Sequence, residues 1–170
     1  MNSIPSRKDI SPTQGKDLDE RRALRNLHGK DYKKAAEILW EDFVNNIEDY
    51  FWIGNRAFLY YLRSINIFIK EYLLEQNLHI NCPIEVYVIS SALEKVFRHR
   101  TSFPESTMYY ISSEDLRKNP DIVSIKNIII RQLEWVVLNY DNLASNDVFI
   151  RNVTTKNELN TLLRQYQTML

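Results

Sequence analysis

The sequence predicts an all-α domain, an irregular bundle or orthogonal array of five to six helices, and three observations carry that expectation. Apolar residues recur with the 3.6-residue period of a helix over several long stretches. Only 3 glycines and 5 prolines interrupt 170 residues. Most of the periodic stretches open with a side chain able to cap a helix N-terminus. With 44% hydrophobic and 12% aromatic residues, the chain carries enough apolar surface to offset the entropy of folding. Its length fits one domain.

Residues 1–15 are rich in Ser, Pro, Gln and charge, and they read as a flexible tail ahead of a single helical domain over 16–170. A short charged helix follows over 16–28, with Leu18, Leu24 and Leu27 on one side and Gly29 placed to end it in the left-handed conformation. Asp31 caps a helix in which Tyr32, Ala35, Ala36, Leu39, Trp40, Phe43, Val44 and Ile47 keep helical period. After the aromatic junction 50–54, Asn55 is the expected cap of a helix reaching about residue 76. That helix is apolar nearly all round, as befits an element packed by several neighbours.

Pro83 suits the first turn of a helix running through Phe97. Ile84, Val86 and Val88 alternate with period two, so a short strand over 84–89 is the open alternative, with Ser91 to Glu94 as a capping box behind it. Residues 98–112 carry Pro104 and a Ser/Thr cluster and read as the longest internal loop. Asn119-Pro120 then starts a long helix whose face is Ile122, Ile125, Ile129, Leu133, Val136, Tyr140 and Leu143. Thr155 to Glu158 forms a capping box for a terminal helix.

The chemistry-bearing inventory is small. Among three histidines, His79 and the lone cysteine Cys82 have a metal-compatible spacing but no second ligand pair, so no metal is expected. There is no Gly-rich phosphate loop and no paired Glu/His set, so no cofactor or catalytic residue is assigned and the chain reads as a non-enzyme. One cysteine excludes an internal disulfide. Together with an N-terminus lacking an apolar signal core, it leads us to expect a cytoplasmic or nuclear protein. The most apolar run, 57–69, is short of the roughly 20 residues a bilayer requires and contains Arg63, so no membrane insertion is expected.

Lys plus Arg and Asp plus Glu balance at 22 each, which leaves only local charge to steer a polyanion. Arg21, Arg22, Arg25, Lys30, Lys33 and Lys34 make the N-terminal part basic, the basis of an alternative nucleic-acid reading that Arg98 to Arg100 would extend. Arg22 and His28, with Arg21 and Arg25 beside them, also have a spacing that resembles the Arg/His element of HEPN ribonucleases. The resemblance covers these few residues and implies RNA cleavage at a cleft between paired subunits. Here the motif sits on a short polar helix, where a solvated charged face is the competing reading.

The informative excess is aromatic: ten Tyr, seven Phe and three Trp. Exposed aromatics and arginines are the usual anchors of protein interfaces. The expected function is therefore an adaptor or small subunit of a larger assembly, contacting another protein or a second copy of itself. Its expected contact residues are Trp52, Tyr60, Arg98, Arg100, Phe103, Met108, Tyr109 and Tyr110. The competing expectation for the loop aromatics is that they fold back over the core.

Overall fold

The computed structural model describes residues 3–75, 83–146 and 148–169, and these are helical with no strand among them. In chain order the elements are α1 (Arg7–Ile10), α2 (Leu18–Leu27), α3 (Tyr32–Glu41), α4 (Phe43–Asn46), α5 (Asp49–Trp52) and α6 (Asn55–Ile69). A π-helical turn (Lys70–Glu75) extends α6, and then come α7 (Pro83–Ser102), α8 (Ser113–Lys118), α9 (Pro120–Asn146), α10 (Val148–Val153) and α11 (Lys156–Met169). The short elements exceed the number that periodicity could find, because a one-turn helix contains too few residues to show a period.

The centre of the molecule is α6, which packs against α3 on one side and α9 on another, with α1 across its N-terminal end. Its Phe58, Leu62, Ile65, Phe68 and Ile69 are buried, consistent with apolar residues on several faces. Helix α9 buries Ile122, Ile125, Ile129, Leu133 and Val136 and also contacts α7 and α11. Helix α11 lays Leu159, Leu162 and Tyr166 into the seam, and the Tyr166 hydroxyl donates to the Ser90 carbonyl at 2.6 Å.

Several caps follow the sequence. Asn119 accepts from the backbone of Asp121 and Ile122, Thr155 and Glu158 close a reciprocal capping box, and Gly29 has φ +73°. Others differ for identifiable reasons. Residues 84–89 are helical within α7 rather than a strand. There Val86 and Ile89 are buried while Ile84 is half-buried, so the period-two pattern is incidental to a helix wetted on one side. Ser91 to Glu94 lies inside α7, where Glu94 pairs with Arg98 instead of capping. The start of the expected loop, 98–102, continues α7. Gly54, not Asn55, is the N-cap of α6, since the Asn55 side chain is engaged by Arg100 and Tyr110.

The helix expected over 32–47 is broken at Asp42, which is extended (φ −160°, ψ 91°) and caps α4 through the Asn45 amide. The segment read as a flexible tail packs on the domain over its described residues. Ile10 is fully buried, and the Gly54 amide donates to the Asp9 carbonyl at 3.1 Å. One apolar side chain in a polar segment escapes a compositional reading, yet it anchors the segment. His79 and Cys82 lie outside the described residues.

Candidate interaction surface

The expected contact residues separate into three places. Arg100, Phe103 and Tyr109 belong to a cluster between the start of the chain, the α5–α6 junction and the loop after α7. Arg100 is fully buried. Its guanidinium donates to the carbonyls of Phe51 and Ile53 and to Asn55 Oδ1 and lies 4.6 Å from the Phe58 ring centroid. Burial pushes its pKa down, to about 9, so it remains charged at neutral pH. A partner does not reach it in this arrangement, and it adds nothing to a basic surface.

Tyr109 lies over the same guanidinium and donates to Glu20, which is itself buried and accepts from Ser11 and Thr13. Burial is the first cause raising the phenol pKa, followed by the Glu20 carboxylate. Phe103 contacts Tyr109, His99 and Trp52 ring to ring, the His99 contact being the closest at 4.5 Å. Trp52 is half-buried. Burial, then Arg100, lowers the His99 pKa, so the imidazole in this aromatic nest is neutral at pH 7. The loop therefore folds back on the domain. Met108 remains 58% exposed, while its carbonyl and that of Tyr110 hold Asn55.

Tyr60 lies elsewhere, in a cleft of about 470 Å³ lined by Tyr32, Arg63 and Asp121, and only 8% of it is exposed. Arg98 is surface-lying and paired with Glu94. Within the basic segment, Arg22 is bound to Asp49 at 2.7 Å and to Glu48 at 3.3 Å, whereas Arg21, Arg25, Lys33 and Lys34 are exposed and Lys30 is half-buried. His28 is exposed at the C-cap of α2. Arg22 is thus committed to the α5 carboxylates rather than to a cleft with His28.

A surface that the sequence did not single out lies between α4 and α7. Two adjoining hollows of about 310 and 330 Å³ share Val44 and Val88, forming one groove. Trp40 and Val44 are 37% and 52% exposed on one wall, and Val88 and Ala92 line the other. Trp40 meets Phe68 and Tyr72 edge-on, and Phe43 stacks on Phe68 at 4.9 Å. The Trp40 indole donates to Glu71, and the Tyr72 hydroxyl donates to Glu85 at 2.6 Å. Both Glu71 and Tyr72 stand on the π-helical turn, whose wider winding re-aims side chains relative to an α-helix.

No family model matches this chain, and no curated protein or solved structure does. The groove and the buried network must be read from their own chemistry.

Trp40, Phe43 and Val44 were legible as one apolar helix face. What hid the groove was the break at Asp42, which turns the last part of that face out toward α7. The signal for it was Asp42 followed three residues later by Asn45, a cap pattern inside a periodic run. Among the described residues no three His, Cys, Asp or Glu side chains cluster as metal ligands, and no helix is long and apolar enough to cross a membrane.

Proposed function

We propose that this protein is a non-enzymatic interaction module, an adaptor or small subunit, that docks a helical segment of another protein in the groove between α4 and α7. The observation that carries this reading is the exposure of Trp40 and Val44 in a hollow continuous with Val88 and Ala92. Side chains left wet on both walls of a groove gain solvent-free contact only when something enters it. An exposed aromatic held in a fixed orientation by a hydrogen bond loses little entropy on binding, which is the property of an interface anchor.

The groove has the width-filling chemistry for the apolar face of a helix. Along α7 it touches Glu85, Val88, Ala92 and Lys95, spaced three or four apart on one helix face, so it runs about 15 Å at 1.5 Å per residue. That length matches about three turns of a docked helix.

The test is selection from a library of helical peptides displayed on phage. Peptides enriched on the wild-type protein should lose binding to Val88→Asp and to Val44→Glu, the latter placed on an exposed one-turn helix where it leaves the core intact. Enriched peptides that bind both variants as well as wild type would overturn the assignment of the groove.

A further inference from the structure

We infer that the groove takes a basic amphipathic helix, one whose apolar stripe is flanked by lysine or arginine. This inference rests on the groove being the docking site and adds the charge of the partner.

The upper half of the groove is rimmed by Glu41, Asp42 and Glu85 and, among the described residues, by no basic side chain. The lower half adds Glu48 and a single cation, Lys95. These carboxylates are not evenly spent. Glu41 and Asp42 are exposed, and Asn45 hydrogen bonds hold the Asp42 carboxyl below its usual pKa, so it stays ionised well into acid. Glu85 takes the Tyr72 hydroxyl on one oxygen. Glu48 is shared with Arg22.

A partner helix seated on Trp40, Val44 and Val88 brings its flanking positions, one turn to either side of the apolar stripe, level with these rims. Lysine and arginine suit those positions because their stems cover apolar surface while the charge reaches outward. An acidic helix would meet like charge on both walls, which selects against it as much as attraction selects for a basic one.

The experiment uses the full chain and two probes of about 18 residues with one heptad-like leucine stripe, one flanked by lysine and the other by glutamate. Fluorescence anisotropy at low and physiological salt should show the lysine peptide binding at least about tenfold tighter than the glutamate peptide, with the gap narrowing as salt rises. Glu41→Gln with Glu85→Gln keeps the Tyr72 acceptor and should weaken the lysine peptide about fivefold without altering the circular dichroism spectrum. Val44→Asn, which makes the wall polar without adding charge, should weaken the lysine peptide no less than the double glutamine variant does.

Equal binding of both peptides, lost in Val44→Asn, would overturn the charge inference and leave the groove standing. Lysine-peptide binding that persists in Val44→Asn would place it on an unrelated acidic surface and overturn both. Absence of binding by either probe at 100 µM, a roughly 5.5 kcal/mol threshold, likewise overturns the inference.

Discussion

Arg100 Nη1 donates to the Ile53 carbonyl at 2.6 Å, joining the end of α7 to the junction that launches α6. The bond belongs to a guanidinium that is fully buried yet faces carbonyls, an amide and rings rather than a carboxylate. Replacing Arg100 by Met fills the volume but strips the Ile53 and Phe51 carbonyls of a donor. The expected cost is about 3 kcal/mol, seen as a lower urea midpoint. An unchanged midpoint would show that these carbonyls find other donors.

Asp49 is 1% exposed, and burial raises its pKa more than the Arg22 and Asn26 hydrogen bonds lower it. Arg22→Ala leaves that carboxylate with Asn26 alone and should cost about 2 kcal/mol. This lies below the 3–5 kcal/mol of a fully buried pair, because Arg22 is 35% exposed. Asp49→Asn removes the buried charge and should cost less than Arg22→Ala. Thermal denaturation of the two variants side by side orders them.

A Cβ on Gly54 would lie 2.5 Å from the Asp9 carbonyl oxygen and 3.0 Å from Pro12. Gly54→Ala should therefore push the 5–12 segment off the domain and destabilise the fold by about 2 kcal/mol. Limited proteolysis should cut the variant within its first 15 residues faster than wild type. Equal cleavage would mean that the segment is not held by this contact.

Tyr50 and Tyr166 are buried, and burial raises both phenol pKa values above the ordinary 10.0; Tyr61 shifts the same way for the same first cause. The folded state thus holds these protons more tightly than the unfolded state does. Their contribution is complete below pH 10 and is lost as pH rises through the folded values, by about 1.4 kcal/mol per pH unit for each phenol. Arg100 is shifted downward, so it works against one of them. Urea midpoints should fall above pH 10, and the ring-carbon NMR signals of Tyr50, Tyr61 and Tyr166 should keep their phenol shifts until the protein unfolds. Phenolate shifts at these three residues in a folded protein would contradict the burial of their rings.

The fold was readable where one physical pattern dominated over a long stretch. Ile122 to Val136 keeps one period and one face for four turns, and Asn119 and Thr155 cap with their own side chains, so α9 and α11 follow from local chemistry. The candidate contacts were less readable because a residue type does not say which way it faces. Arg100 looks like a surface cation in sequence and is among the largest fully buried side chains of the described residues. Only the meeting with Ile53, Asn55 and Phe58, more than 40 positions earlier in the chain, gives it a place. The groove depends likewise on α4 and α7, and nothing local to either announces the other.

The bond from Tyr109 to Glu20 spans 89 residues. During synthesis at about 5–20 residues per second, that interval lasts roughly 4 to 18 seconds, so the Glu20 carboxylate waits for the Tyr109 hydroxyl made later in the same chain. Until then Glu20 accepts from Ser11 and Thr13, its neighbours in sequence. A nascent chain stalled before position 109 would hold Glu20 through Ser11 and Thr13, without the bond that ties α2 to the loop after α7.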